Sequence, residues 1–251
     1  MKTIKKVGKA VLPQSWIYFY HSFRVALKLG MVRELFRTLS NASRTLRLGG
    51  EAGWTIPKGV LGAGSICYCV GCGEDISFDL ELIKQYGCPI FAFDPTPRAI
   101  AYVKKHTADV RNYQLEEVGI WEKEGTVKFY IPDDPAQVSH SITNLEGTNR
   151  FIEVPTKRLQ QVMAARGHTS ISLFKMDIEG AEHSVIRTII EDKIQIGILC
   201  IEFDELAQHS TPDRLASINA SIQSLIRYGF ELFWVEGSNF TFVRPARGPT
   251  S

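Results

Sequence analysis

The chain has 251 residues, 44% of them apolar and 22% charged, which is long enough to bury one substantial core and ordinary for a globular protein. Its net charge of +2 joins unlike parts: residues 1–58 hold 11 lysines and arginines against 2 acids, and the remainder holds 18 against 25. No run reaches the roughly 18 to 20 apolar residues of a membrane span, and the reading is of a cytoplasmic protein rather than an integral or secreted one.

Two further exclusions follow from composition. The apolar stretch near the N-terminus is broken by Pro13, Gln14, His21 and Arg24 without a small-residue cleavage site, unlike a secretory signal. Five cysteines, three of them crowded at Cys67, Cys69 and Cys72, fit reduced thiols packed in a core; no second Cys/His pair stands at metal-ligand spacing, so no metal is assigned.

From Gln14 to about Arg47, Trp16, Phe19, Phe23, Leu27, Val32, Leu35 and Leu39 recur at three- and four-residue steps, which predicts one or two helices split near Gly30. Arg24, Lys28, Arg33, Arg37, Arg44 and Arg47 stand among those aromatics. They suit a peripheral contact with an anionic membrane or a phosphate-bearing carrier, and equally a helical cap whose charges are solvated. Gly49-Gly50, Pro57, Gly59, Gly62 and Gly64 mark a boundary near residue 60, so residues 1–60 read as a basic helical extension and 61–251 as the main domain.

Beyond it, short apolar runs alternate with helical segments. The first strand, Ile66 to Val70, runs into Gly71-Cys72-Gly73-Glu74-Asp75 and then a helix from Ile76 to Tyr86. Glycines there let backbone approach a ligand, and a helix N-terminus offers free N–H groups; an ordinary glycine turn is the competing reading. A second strand, Ile90 to Phe93, ends at Asp94, where an acid commonly takes ribose hydroxyls. Thr96 and Pro97 next to it also suit a simple helix start. The turn lacks the third glycine of a pyrophosphate site, which disfavours a nicotinamide-dependent oxidoreductase.

After a helix to His106 come strands at Tyr113 to Val118 and Thr126 to Tyr130. A polar loop from Pro132 to Asn149 carries His140, a candidate base, and Phe151 to Val154 and a helix from Thr156 to Ala165 follow. Strand Ile171 to Met176 then enters Lys175-Met176-Asp177-Ile178-Glu179-Gly180-Ala181-Glu182 and a helix. A lysine inside an apolar strand needs a partner, and acids at a strand's C-terminal end face a ligand crevice. Asp177 is the first choice of base, with Lys175 and Glu179 beside it; dipole-complementing acids are the plain alternative. Strand Gly197 to Phe203, helix Pro212 to Tyr228 and two closing strands complete the pattern of a doubly wound, mostly parallel sheet with an antiparallel C-terminal hairpin.

The run Lys175 to Glu182 resembles the hallmark of the FkbM-type methyltransferases, as do Phe93-Asp94-Pro95, the Val118-Gly119 step and Cys200 to Phe203, over roughly residues 65 to 243. The resemblance implies a Rossmann-like seven-stranded sheet, S-adenosylmethionine as donor, and O-methylation of a small-molecule or carrier-linked hydroxyl rather than nucleic acid. It places the donor against Gly71, Cys72, Gly73, Glu74, Asp75, Asp94, Val118 and Gly119. Two departures stand out, since the family usually has an acid where this chain has Cys69 and a glycine where it has Asp75. Glu74 or Asp75 is the expected replacement for that acid at the donor's ammonium group; a non-catalytic module of the same fold is the alternative reading.

Overall fold

The computed structural model describes residues 14–50, 53–130, 150–206 and 210–245. Five parallel strands form most of one sheet: β3 (Cys67–Val70), β4 (Ile90–Phe93), β5 (Tyr113–Glu116), β9 (Ile171–Met176) and β10 (Ile196–Glu202). The antiparallel pair β11 (Glu231–Glu236) and β12 (Asn239–Val243) closes one edge, and the order across the sheet is β11-β12-β10-β9-β3-β4-β5. The chain winds one way from β3 to β5 and the other way from β9 onward, so β3 and β9 flank the point where strand order reverses.

Both faces of this sheet are buried, which is why its strands read as apolar runs rather than alternations. Tyr68, Val70, Phe91, Phe93, Phe174 and Met176 enter one core, where they meet α1 (Gln14–Leu29), α2 (Val32–Leu39), α5 (Leu159–Ala165), α6 (Glu182–Glu191) and α7 (Pro212–Arg227). The alternate residues Cys67, Cys69, Ile90, Ala92 and Leu173 enter the other, against α3 (Ser77–Tyr86) and α4 (Pro97–Thr107). All five cysteines are free and buried.

The N-terminal part is more than a helical extension. β1 (Thr45–Leu48) and β2 (Trp54–Pro57) pair antiparallel, and Trp54 and Ile56 are sealed into the second core. Helices α1 and α2 lie on β11: Val25, Leu29 and Leu35 join the first core, Ser22 Oγ donates to Val235 O at 3.0 Å, and Asn41 Nδ2 donates to Phe233 O at 3.0 Å. A second correction concerns the strands after residue 118. Gly119–Ile120 (β6), Gly125–Tyr130 (β7) and Phe151–Lys157 (β8) make a separate three-stranded sheet in the order β6-β8-β7, and α5 starts at Leu159 because β8 continues to Lys157. No helix among the described residues is long and apolar enough to cross a membrane.

Because the extension shares the main core, truncating Leu35, 2% exposed, is expected to destabilise the whole protein by about 2–4 kcal/mol. Urea unfolding of Leu35→Ala should show one cooperative transition at lower denaturant; two separate transitions would show that the extension folds independently.

Candidate active site

The glycine turn after β3 is shaped by two backbone demands. Gly71, at φ +78, lies so close to the loop after β9 that a Cβ would meet the Asp177 carbonyl oxygen at 1.7 Å; Gly73, at φ +52, faces open space. Asp177 N–H donates to Val70 O at 3.2 Å, and the buried Lys175 Nζ donates to Gly71 O at 2.6 Å and to Asp177 Oδ2 at 3.3 Å. The C-terminal ends of β3 and β9 are thereby fastened to each other. Burial opposes the charge on Lys175, but the Asp177 and Asp79 carboxylates outweigh it and hold the ammonium above its ordinary pKa.

Above this junction opens a cleft of about 250 Å³. Its wall includes Gly71, Cys72, Gly73, Glu74, Asp75, Asp94, Lys175, Asp177 and Glu179, residues that lie far apart in the chain. Among its ionisable groups are six carboxylates, those of Glu74, Asp75, Asp79, Asp94, Asp177 and Glu179, against the single ammonium of Lys175. The cleft therefore favours a cationic ligand.

The individual acids differ in what they already hold. Asp94 accepts four hydrogen bonds: Cys72 N–H at 2.8 Å and Gly73 N–H at 3.2 Å on Oδ2, Thr96 N–H at 2.9 Å and Thr96 Oγ1–H at 2.6 Å on Oδ1. It thus serves the helix start and pins the glycine turn at once. Glu74 pairs with Arg98 at 2.6 Å, and Asp75 Oδ1 accepts Ser77 N–H at 2.8 Å at the entry to α3. Val118 and Gly119 are not among the described residues lining the cleft; Gly119 sits in β6, where its Cα packs toward Pro95 and Thr156. His140 lies outside the described residues.

The placements of Asp79, Glu182 and Asp204 were not legible in the motifs. Asp79, 4% exposed on the first turn of α3, enters the cleft wall from below and accepts Tyr113 Oη–H at 2.9 Å. Glu182, fully buried, turns back from α6 so that Oε1 accepts Ile178 N–H at 2.9 Å and Oε2 accepts Gly180 N–H at 2.8 Å. It is a bracket that holds the loop in which Glu179 adopts a left-handed φ of +51. Burial pushes its carboxyl up to about 8 against those two donors. Glu202 ends the neighbouring strand β10, Asp204 opens the turn after it, and both feel the charges of Asp177 and Glu179.

In that cluster, oxygens of Asp177, Glu179 and Asp204 all lie within 4.8 Å of one another, close enough to hold a divalent cation. Burial, then the Asp177 charge, raises Glu202 to about 7, although Ser238 Oγ–H donates to it at 2.8 Å. Burial and the neighbouring Glu179 and Asp177 raise Asp204 to about 10, and its Oδ2 accepts no hydrogen bond from the described residues. The turn Asp204–Leu206 is held from behind by His183, which bridges Glu205 at 3.3 Å and Ser221 at 2.8 Å.

Comparisons with known proteins place the chain in a family. Residues 67–232 match the family model described as the methyltransferase FkbM domain. Over 135 residues the chain is 28% identical to the 2-O-methyltransferase NoeI of Sinorhizobium fredii, covering 47% of this chain; it spans about half of that relative, 54% of its length. Among solved structures, the precorrin-6y C5,15-methyltransferase of Geobacter metallireducens superposes with a TM-score of 0.41 at 12% identity, over 73% of this chain and 82% of that one. Fibrillarin of Aeropyrum pernix, solved with S-adenosyl-L-methionine bound, gives 0.41 at 10% identity, over 75% and 68%.

Two acids of the site should respond in opposite directions to removal of their charge. Glu182→Ala leaves two loop N–H groups without their acceptor and is expected to cost about 1–3 kcal/mol. Asp204 binds its proton more tightly folded than unfolded, so its ionisation in the unfolded chain draws stability away as pH rises above the ordinary carboxylate range. Asp204→Asn should therefore raise the melting temperature, by roughly 2–4 °C per kcal/mol relieved, and by more at pH 8 than at pH 4. Calorimetry at the two pH values checks both signs.

Proposed function

Since the chain belongs to the FkbM methyltransferase family and uses S-adenosylmethionine, we propose that it methylates a hydroxyl oxygen of a sugar or carrier-linked acceptor, with the carboxylates of β9 and β10 as the proton acceptor. The observation that carries this reading is the gathering of Asp177, Glu179 and Asp204 at the reversal point of the sheet, beside Glu202, with burial raising the proton affinities of Glu202 and Asp204. The similarity to a 2-O-methyltransferase supports the choice of oxygen.

The described residues fit the donor. The surplus of carboxylates in the cleft suits a cation, and Gly73 leaves room over its backbone for close approach. Bound there, S-adenosylmethionine supplies a methyl group already activated by its positive sulfur. What remains for the protein is alignment, worth roughly 7 to 11 kcal/mol in the best intramolecular cases, and removal of the acceptor's proton. Asp94 is the residue for the ribose. Of its four donors, Thr96 Oγ1 is the one that rotates away without moving backbone, so a ribose hydroxyl takes that place.

Lys175 is a positioning residue: its ammonium holds Asp177 and the glycine turn in register. Asp177 accepts the hydroxyl proton, and Glu202 lies close enough in charge to receive or share it. Glu202 must be ionised to receive that proton, so methyl transfer should rise with pH through a limb near 7. The test is labelled methyl transfer to a panel of hydroxyl acceptors. Asp177→Asn is expected to lower kcat by about 10²- to 10⁴-fold, and Glu202→Gln to abolish the limb near 7. Transfer confined to nitrogen or carbon acceptors, or a pH profile unaffected by both substitutions, would sink the oxygen reading.

A second reading rests on the outer face of α1 and α2. Tyr20, Leu27 and Phe36 are 54–58% exposed there, interleaved with the exposed Arg24, Arg33 and Arg37, and Lys28 ties α1 to Leu206 O at 3.3 Å, beside the Asp204 turn. We read this face as a dock for an anionic bilayer, because its cations have only Glu34 as an opposing acid in the two helices and its aromatics suit an interface. The protein should sediment with phosphatidylglycerol vesicles and not with phosphatidylcholine ones. Arg24→Glu with Arg37→Glu should release it, whereas unchanged binding, or a preference for nucleic acid over vesicles, would refute the dock.

A further inference from the structure

Position 69 on β3 is where the family resemblance puts an acid, and here it is a fully buried cysteine. Glu74 and Asp75, the nearest acids in the chain, face an arginine and a helix N–H at the rim. The structure supplies a different carboxylate in that place. Asp79 reaches from α3 under the glycine turn until it lies against the Cys69 thiol, whose pKa is driven up by burial and then by that carboxylate. The two side chains converge on one spot from two elements, and an acid at 69 would collide electrostatically with the acid at 79.

Asp79 is also short of compensation. A carboxylate offers about four acceptor positions, and the donors at this one are the Tyr113 hydroxyl at 2.9 Å and the Cys69 thiol, both neutral. Burial raises its pKa, and the nearest cation, Lys175, is already bound to Gly71 O and Asp177. A buried carboxylate in the wall of a ligand cleft, held by neutral donors only, is matched to a cation that arrives from outside.

We propose that Asp79 receives the ammonium group at the amino-acid end of the donor, so that the acid of this subsite has moved from the strand to the following helix while Cys69 makes room for it. The inference rests on the donor reading and narrows it to one residue. Tyr113 is the positioning residue, because its hydroxyl fixes which way the Asp79 carboxylate faces.

Isothermal titration with two probes tests this: S-adenosylmethionine, and 5′-methylthioadenosine, which shares the nucleoside and sulfur but lacks the amino-acid end. Asp79→Asn should weaken the first by at least about 10-fold and change the second by less than about 2-fold. Equal weakening of both probes would assign Asp79 a purely structural role and overturn the proposal, as would no change in either. Should Asp79→Asn fail to fold, the exchange Cys69→Asp with Asp79→Ser decides: it should return affinity for S-adenosylmethionine to within about 5-fold of wild type, and loss of that probe alone would refute the idea. Wild-type protein that binds neither probe would instead remove the donor reading, and this inference with it.

Discussion

One buried ammonium organises this molecule. Lys175 sits inside an apolar strand, where an unpaired charge would be intolerable, and it answers by tying the carbonyl of Gly71 to the carboxylate of Asp177. That bond joins the first strand of one half of the sheet to the first strand of the other at the point where winding direction changes. Everything assigned a chemical role lies around it: the glycine turn with its fastener Asp94 on one side, the acids of β9 and β10 on the other. Removing the lysine would deprive two carboxylates, Asp79 and Asp177, of the cation whose charge both of them hold in place.

The acids around that ammonium fall into two kinds. Asp94 and Glu182 spend their oxygens on backbone N–H groups, and so hold loops in shape. Asp79, Glu202 and Asp204 instead have few or neutral donors, and burial raises their proton affinities as it does that of Glu182. Such groups oppose folding. They gather in one place, at the reversal point of a doubly wound sheet, which is where the proposed proton transfer needs them.

Much of this could be read along the chain, because the relevant residues sit in short runs at strand ends. Gly71 to Asp75, Asp94 and Lys175 to Glu179 come together in one wall, as their positions after apolar strands implied. What escaped reading was whatever depends on a helix bringing a side chain back. Asp79 and Glu182 look like ordinary first-turn acids, suited to a helix dipole, and only the fold shows one entering the cleft and the other bracketing the preceding loop. The paired strands β1 and β2 hid among glycines that read as a linker, and β6, two residues long, has no period to detect.

The contact between Gly71 and the Asp177 carbonyl bears on how this scaffold can be altered. With no space for even a methyl group between them, the turn proposed to face the donor and the loop proposed to face the acceptor move as one piece. An engineer who reshapes the acceptor loop to admit a new substrate will therefore shift the donor's seat as well. Specificity and donor affinity are mechanically linked here, and changes to the acceptor side that spare this contact are the ones with room to vary.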